Sequence, residues 1–240
     1  MTLWSRIAAA LSSLAAGEGL SAVFDHLRAA QGVSGPEKSV GFTIAVIALG
    51  AKMAKADGTV TRDEVSAFRR VFTIAESDAA NAARVFNLAR QDVAGFDAYA
   101  HKVAALFRPE GMPLCSDDRN VLIDLLEGLF HIAMADGSYH PAENEYLARV
   151  ATIFGLDDRC FRALRARFVE RAVRDPYDVL GLPPGASLDQ ARAAWKQAVR
   201  DSHPDVMIAR GIPAEAVQLA TRRLIAINAA WKDLQDRQAA

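Results

Sequence analysis

Apolar side chains recur every three or four residues along almost the whole chain, and this spacing constrains the fold more than any other feature. Alanine, leucine and arginine are abundant, whereas runs of β-branched residues are short. This period places the apolar side chains on one face of a helix, and the abundant residues are good helix formers. The sequence therefore predicts an all-α protein. Because 51% of its 240 residues are hydrophobic, the chain can bury one or two helical cores.

Charge and cysteine content narrow the kinds of partner. Acidic and basic residues nearly cancel, leaving a net charge of -1, so nothing draws the whole chain to nucleic acid or to an anionic membrane. Cys115 and Cys160 have neither a CxxC spacing nor a neighbouring Cys/His pair, which disfavours a zinc knuckle and a disulfide framework. We therefore expect a cytoplasmic protein with no nucleic-acid partner.

Residues 1–35 are predicted to form a separate N-terminal helical segment. Its apolar run is only about ten residues long, whereas a membrane-spanning helix needs about twenty. The simplest interpretation is a helix that packs on the rest of the protein. The alternative is an amphipathic helix that contacts the inner face of the membrane peripherally. The side chains for such a contact are Leu3, Trp4, Ile7 and Leu11.

Stretches rich in glycine and proline divide the remaining chain. They are QGVSGPEK at 31–38, FRPEGMPLCSDD at 107–118 and LGLPPGAS at 180–187. Such residues end helices and begin loops. We predict a helical domain at 36–171 and a smaller C-terminal domain at 172–240.

The larger domain contains an internal duplication. MAKADGTVTRDEVSAFRRVF and IAMADGSYHPAENEYLARVA superpose on their ADG triplets at a constant offset of 79 residues. This offset pairs Asp57 with Asp136 and Glu64 with Glu143. Each copy reads as a helix, a DG turn and a second helix. A repeat of such helical hairpins predicts a compact bundle in which the hairpins bury their apolar faces against each other.

The acidic residues of the duplicated turns have two interpretations. As structural residues, Gly58 and Gly137 would take the left-handed conformation that closes a helix. Thr61 and Glu64 would form a capping box, and Glu143 would occupy the opening turn of its helix. As functional residues, the carboxylates would converge on a divalent cation or a basic partner. A calcium EF-hand is disfavoured, because neither copy supplies oxygen ligands at alternate positions.

The paired ADG turns in their helical setting resemble the TerB-like helical domain named after tellurite-resistance proteins. In that family, acidic residues at such turns have been proposed to bind metal. The resemblance therefore implies a divalent-metal site formed by Asp57, Glu64, Asp136 and Glu143. It suggests a module for metal sensing, for localisation, or for binding a client protein or a second copy of the chain.

Two apolar stripes run through the C-terminal domain. The first consists of Leu188, Ala191, Trp195, Ala198 and Ser202, and the second of Val217, Ala220, Leu224, Ile227, Trp231 and Leu234. Ser187 is a good N-cap for the first helix, and the second helix should begin after Pro213. Stripes with this 3-4 spacing, joined by a ten-residue loop, predict an antiparallel helical hairpin. The tripeptide His203-Pro204-Asp205 would lie at its tip.

Three basic residues occupy another face of the first helix of this hairpin. Arg192, Lys196 and Arg200 follow an i, i+4, i+8 spacing, which turns them outward together, about 120° from the apolar stripe. A strip of this kind is usually a solvated face. Here it leads directly into His203-Pro204-Asp205, which favours a binding surface.

The C-terminal domain resembles the J-domain of the DnaJ co-chaperone family. The motifs that carry the resemblance are Tyr177-x-x-Leu180-Gly181-Leu182, Ala186-Ser187, the basic helix, His203-Pro204-Asp205 and Ala226-Ile227-Asn228-Ala229-Ala230-Trp231. A J-domain after a TerB-like domain is similar in order to the DjlA type of DnaJ-like protein.

The resemblance to J-domains implies a co-chaperone that docks on a DnaK-type heat-shock chaperone and stimulates its ATP hydrolysis. Arg192, Lys196 and Arg200 would meet an acidic surface of the chaperone. His203-Pro204-Asp205 would engage its interdomain linker and bias it toward the hydrolysing arrangement. The alternative function is that of a metal-binding stress-response protein acting through the duplicated acidic turns.

The C-terminal domain departs from the J-domain pattern at several positions. Trp195 stands where the family often has tyrosine, Gln197 and Asp201 replace bases, and the following loop has the single base Arg210, which implies weaker or specialised docking.

The remaining alternative is an enzyme that would use His203 as a general base oriented by Asp205 or Asp201. No nucleophile motif, phosphate-binding glycine loop or metal-ligand set accompanies this histidine, so we expect no catalytic activity.

Overall fold

Helices make up nearly all of the chain that the structure describes. The computed structural model describes residues 2–14, 18–29, 35–56, 72, 74, 76–91, 95–107, 116–135, 137–169, 175–216 and 218–239. No β-strand occurs within these ranges. The prediction of an all-α protein is confirmed.

The described residues form twelve α-helices and two short 3-10 turns. The helices are α1 (Leu3–Ser12), α2 (Ala22–Ala29), α3 (Gly35–Ala56), α4 (Ala79–Gln91), α5 (Phe96–Phe107), α6 (Ser116–Ala133), α7 (Pro141–Ile153), α8 (Asp158–Phe168), α9 (Pro176–Val179), α10 (Leu188–Asp201), α11 (Pro204–Ala209) and α12 (Gln218–Ala239). The 3-10 turns are Glu76–Asp78 and Ala214–Ala216.

Helix α3 lies at the centre of the bundle formed by α1 to α8, which we call the helical bundle. Every position from 40 to 53 is buried, and α1, α4, α5 and α6 pack around this helix. A helix that is apolar on all sides is expected in a core. The Thr43 hydroxyl donates to the Ser39 carbonyl at 2.9 Å, and the Tyr146 hydroxyl donates to the Leu49 carbonyl at 2.7 Å. These bonds satisfy polar atoms that burial would otherwise leave unpaired.

The N-terminal helix α1 packs into this core. Trp4, Ile7 and Leu11 are 2%, 0% and 2% exposed, and Leu3 is partly buried against the same cluster. The structure therefore corrects the interpretation of these four side chains as a membrane-contacting face, because the bundle already covers them. Within the ranges given above, no helix is both long and apolar enough to cross a membrane.

The second copy of the duplicated hairpin is formed by α6 and α7. Gly137 lies between them with φ of 83°, the left-handed conformation predicted for a residue that closes a helix. Pro141 is the first residue of α7, where its fixed φ suits a helix start. The first copy begins with α3, and its turn at Asp57, Gly58, Thr61 and Glu64 lies outside the described residues. The helical-hairpin prediction is thus confirmed for the second copy.

Helices α9 to α12, with the turns between them, form a smaller unit, which we call the C-terminal module. Its core contains Val179, Leu180, Ala191, Ile227, Ala230 and Leu234, together with Ala166 of α8. A second group of its side chains instead joins the core of the helical bundle, namely Met207, Ile212, Ala216, Leu219 and Ala220. The module therefore shares a core with the helical bundle through the segment that follows His203-Pro204-Asp205.

Candidate functional site

The start of α10 is fixed by the capping box that the sequence predicts in part. The Ser187 hydroxyl accepts the backbone N–H of Gln190 at 3.2 Å, and the Gln190 side-chain oxygen accepts the backbone N–H of Ser187 at 2.8 Å. Two orphan donors of the first turn are satisfied in this way. Helix α10 ends at Asp201, and the buried Ser202 hydroxyl donates to the Ala198 carbonyl at 2.7 Å.

The two long helices of the C-terminal module meet at a pair of tryptophans. The rings of Trp195 and Trp231 stack with centroids 5.6 Å apart and planes inclined by 15°. The indole N–H of Trp195 also donates to the Asn228 side-chain oxygen at 2.8 Å. A tryptophan at position 195 therefore links α10 to α12 by stacking and by a hydrogen bond. The predicted hairpin of two apolar stripes is observed, although the side chain of Val217 lies outside the described set.

The three predicted basic residues share an exposed surface of α10. Arg192, Lys196 and Arg200 are all exposed. The Arg200 guanidinium donates to the Gln197 side-chain oxygen at 2.6 Å, and the Gln197 amide donates to the Asp201 carboxylate at 3.1 Å. Gln197 and Asp201 therefore orient Arg200 at the end of the helix. We call Arg192, Lys196 and Arg200 the basic face.

His203-Pro204-Asp205 is the first turn of a helix and not a flexible tip. His203 is the N-cap of α11, and its ring Nδ1 accepts the backbone N–H of Asp205 at 3.2 Å. Pro204 is the first helical residue, where its fixed φ is compatible with the helix. The side chains of His203 and Asp205 are 59% and 88% exposed. Because Nδ1 accepts a hydrogen bond, a neutral His203 carries its proton on Nε2.

This geometry does not form a catalytic dyad. The nearest Asp205 carboxylate oxygen lies 3.7 Å from His203 Nδ1, beyond hydrogen-bond distance. The Asp201 carboxylate instead accepts the Gln197 amide. Neither aspartate orients the imidazole as a general base requires.

Helix α11 was predicted as a loop. It turns Met207 into the core and leaves Val206 and Ile208 39% and 46% exposed. These two apolar side chains flank Asp205 on the helix surface and belong to the same exposed region as His203. The sequence signals for this helix were the proline at a favourable first position and the potential N-cap before it. We call Val206 and Ile208 the apolar shoulders.

Arg210 does not serve as an exposed base of the loop. It is only 5% exposed, and its guanidinium Nη2 donates to the carbonyl of Asp201, the last residue of α10. Next to it, Gly211 has φ of 98°, and its carbonyl accepts the Ser39 hydroxyl at 3.0 Å. A Cβ at Gly211 would overlap the Lys38 side chain of α3, so the close approach of the two segments requires glycine.

A buried cluster of charges joins the C-terminal module to the helical bundle, and none of its residues was predicted. Arg223 of α12 donates through Nε to both carboxylate oxygens of Glu127 at 3.0 and 2.9 Å, and through Nη2 to Asp124 and Glu127. Both acidic residues belong to α6. Arg167 of α8 donates to the same Glu127 carboxylate at 2.9 Å and to the Val179 carbonyl at 3.1 and 3.3 Å.

Electrostatic effects in this cluster differ between its two carboxyls. Burial alone would raise the pKa of Glu127, but Arg223 and Arg167 outweigh burial and hold it below its ordinary value. Burial raises the pKa of Asp124, whose second oxygen has no hydrogen-bond partner among the described residues. Burial, followed by the charge of Arg222, lowers the pKa of the neighbouring His131 to about 4.

The four predicted metal ligands are largely outside the described residues. Asp57, Glu64 and Asp136 lie outside the described residues. Glu143 is 7% exposed, and its carboxylate accepts the backbone N–H of His140 at 2.8 Å, which is the capping role. In the described ranges, no group of three or more His, Cys, Asp or Glu side chains could hold a metal ion.

Comparison with known proteins shows similarity to one family and to one kind of co-chaperone. Residues 43–166 match the family described as Tellurite resistance protein TerB. The Co-chaperone protein DjlA of Coxiella burnetii is 26% identical over 205 residues, which covers 76% of this chain and 72% of the relative.

Two further relatives carry the same name. The protein of Photobacterium profundum is 25% identical over 221 residues, which covers 81% of this chain and 77% of the relative. That of Escherichia coli K12 is 26% identical over 136 residues, or 47% of this chain and 50% of the relative. No solved structure matches this chain significantly. The alignments with the C. burnetii and P. profundum proteins cover more of the chain than the TerB match does.

Proposed function

Because this chain belongs to the family of tellurite resistance protein TerB and is a DjlA-like protein, we propose that it is a co-chaperone of a DnaK-type heat-shock chaperone. Its C-terminal module docks on the chaperone and stimulates ATP hydrolysis there. One observation carries the proposal: His203-Pro204-Asp205 is an exposed helix start placed at the end of an exposed basic face. The chemistry takes place in the partner, and this chain acts by binding.

The basic face supplies attraction over a distance. Arg192, Lys196 and Arg200 present three exposed positive charges within two turns of helix, although the chain has almost no net charge. A local positive patch accelerates encounter with an acidic surface and orients the two proteins as they meet. The hydrogen bond to Gln197 orients the Arg200 guanidinium, which is the charge of the basic face nearest to the tripeptide in sequence.

The tripeptide supplies a fixed pattern of polar groups. In neutral His203, Nε2 is a donor, while Asp205 offers an exposed carboxylate acceptor. The N-cap bond and Pro204 fix the backbone before binding, which lowers the entropy lost when a partner docks. Contacts made only with the hydrolysing arrangement of the chaperone would shift its population toward that arrangement.

The apolar shoulders extend this surface. Val206 and Ile208 are exposed next to Asp205, and isolated exposed apolar side chains beside a polar motif suit a mixed interface with a buried centre. They belong to α11, which the buried Met207 anchors in the core. We assign them to the same docking surface as the basic face.

The helical bundle has a separate role in this proposal. It localises the C-terminal module, binds a client or forms a dimer, while the duplicated acidic turns remain its candidate metal-sensing element. The reducing environment expected from the isolated cysteines fits a cytoplasmic chaperone as the partner.

Binding of the purified chain to the ATP-loaded chaperone tests this proposal. Asp205→Asn keeps the size and the backbone N–H of residue 205 but removes the carboxylate charge. We expect wild type to bind and Asp205→Asn to lose binding by tenfold or more, with an unchanged helical spectrum. Asp236→Asn, at an exposed aspartate of α12, is the matched control. Equal binding by wild type and Asp205→Asn would contradict the assigned docking surface.

A further inference from the structure

Building on the proposed function, we propose that Asp124 and Glu127 of the helical bundle are positioning residues for the His203-Pro204-Asp205 turn. They touch no partner themselves. They hold Arg223 and Arg167, and these two arginines fix the C-terminal module against the bundle. We call these four residues the ionic clamp.

The strongest contact of the ionic clamp crosses directly from the bundle to the module. Arg223 of α12 contacts both oxygens of Glu127 and one oxygen of Asp124. The three side chains are 7%, 1% and 0% exposed. A forked guanidinium that meets carboxylates in this way specifies orientation as well as proximity, which a lysine could not do.

A second contact reaches the module from α8. Arg167 of α8 donates to Glu127 at 2.9 Å and, through Nε and Nη2, to the Val179 carbonyl of α9. Glu127 therefore accepts one arginine from each unit. The first and last helices of the C-terminal module are held by the same carboxylate.

Arg210 braces the tripeptide from within the C-terminal module. Arg210, the C-cap of α11, donates to the carbonyl of Asp201 at the end of α10, so it bridges the two ends of the segment that contains the tripeptide. Its positive charge acts to lower the pKa of Asp124, against the larger effect of burial, which raises that pKa. Its remaining Nε and Nη1 atoms, like Oδ2 of Asp124, are buried without a hydrogen-bond partner among the described residues. The clamp acts on the turn through α12 and α10, which the stacked rings of Trp195 and Trp231 join, while Arg210 braces the turn from within the module.

Apolar contacts alone would not fix the orientation of the C-terminal module on the helical bundle so narrowly. Met207 and Ile212 join the core of the bundle, and Ser39 bonds to the Gly211 carbonyl. Apolar packing is tolerant of small rotations, whereas buried charges require their partners in hydrogen-bond geometry. Two guanidiniums meet two carboxylates in the ionic clamp, so the loss of one partner leaves a buried charge uncompensated. The clamp therefore favours one orientation of the module on the bundle over displaced orientations, in which these charges would lack their partners.

A two-probe unfolding experiment tests the clamp without any chaperone. In a Trp4→Phe background, the remaining tryptophans, Trp195 and Trp231, both belong to the C-terminal module. Their fluorescence then reports the module, while far-ultraviolet circular dichroism reports all helices. We expect the two transitions to coincide in this background and to separate after Arg223→Met, with the module unfolding first. Arg237→Met, which removes an exposed ion pair of the same helix, is the matched control and should leave them coincident.

Chaperone stimulation provides the readout that distinguishes positioning from stability alone. Arg223→Met should raise the protein concentration needed for half-maximal ATPase stimulation by at least tenfold, because a displaced module must be reoriented on docking. The maximal rate at saturation should stay within twofold of wild type, since the tripeptide is intact. Arg223→Lys, which keeps the charge without the fork, should show an intermediate effect.

Two results for Arg223→Met would overturn the inference. It fails if Arg223→Met behaves like Arg237→Met in both experiments, or if it lowers the maximal rate with no change in half-maximal concentration. Should Arg223→Met not fold, Glu127→Gln, which keeps the size of the side chain, takes its place with the same expectations. If wild type gives no stimulation at all, the proposed function fails, while the unfolding experiment still decides the clamp.

Discussion

The ring Nδ1 of His203 accepts the backbone N–H of Asp205 at 3.2 Å, so the histidine is the N-cap of the helix that carries the aspartate. This relationship gives the tripeptide a structural and a functional role at once. One ring nitrogen is used inside the turn, and the other is available for a partner. The position of the imidazole relative to the backbone of Asp205 is set before any partner arrives.

The basic face should control the rate of association. Exchanging both Arg192 and Lys196 for glutamine removes two exposed charges, and rim charges act mainly on encounter. We expect the association rate with the chaperone to fall about tenfold at low salt, while the dissociation rate changes little. Stopped-flow binding over a series of salt concentrations measures both rates. The double exchange of Lys232 and Arg237 on α12 removes the same charge and should have little effect; a comparable loss in that control would contradict the assignment.

The apolar shoulders should contribute affinity without contributing stability. Exchange of Val206 and Ile208 for serine removes apolar area that is exposed in the free protein but covered in the complex. We expect binding to weaken about tenfold, or roughly 1.4 kcal/mol, with an unchanged denaturation midpoint. Titration calorimetry against the chaperone checks the affinity. Ile225→Ser, at a residue 66% exposed on α12, is the control, and equal weakening by that variant would refute a local role for the shoulders.

His131 should make stability depend on pH. Burial and Arg222 lower its pKa to about 4, whereas the ordinary value is 6.5, so the unfolded chain takes up a proton first as the pH falls. The folded state is therefore favoured at neutral pH, and this advantage is lost between about pH 6.5 and pH 4.

The non-titrating variant His131→Gln isolates this effect. On going from about pH 7 to pH 5, wild type should lose about 2 kcal/mol more of its free energy of unfolding than His131→Gln does. Urea denaturation at each pH measures the difference. His101→Gln, at an exposed histidine of α5, should follow the wild-type curve. Parallel pH curves for wild type and His131→Gln would show that this histidine does not titrate differently on folding.

Glu143 should act as a helix cap. Its carboxylate accepts the backbone N–H of His140 at 2.8 Å, so Glu143→Ala should cost about 1 kcal/mol of stability. Glu143→Gln retains an acceptor and should lose less, while Glu145→Ala, at an exposed neighbour, should be nearly neutral. Thermal melting measures all three. A rise in wild-type melting temperature with calcium, zinc or manganese that Glu143→Gln abolishes would support a metal ligand at this position instead.

The apolar periodicity of the sequence was sufficient to predict the long helices of the C-terminal module. The stripe from Leu188 to Ser202 predicted α10, and the cap at Ser187 predicted its start. Helix α11 was missed because a six-residue helix shows no repeated apolar period. Its sequence signals were local, namely a potential N-cap at His203 and a proline at the first helical position.

Long-range ionic contacts could not be read from the sequence. Arg223 and Glu127 are separated by 96 residues, and nothing in either helix identifies the other as its partner. The neighbouring Arg222 is exposed while Arg223 is buried, yet both are the same residue type. Likewise, Trp4 and Ile7 form the same amphipathic pattern whether a helix faces a membrane or a protein core. The burial of such residues is decided by packing, which a single sequence does not contain.

Single-turnover hydrolysis of ATP bound beforehand to the DnaK-type chaperone tests the central claim most directly. Wild type should accelerate this single turnover, and His203→Gln should abolish the acceleration while keeping the helical spectrum, because the variant lacks the imidazole at the exposed turn. His101→Gln should accelerate hydrolysis as wild type does. The absence of acceleration by wild type, or full acceleration by His203→Gln, would contradict the account.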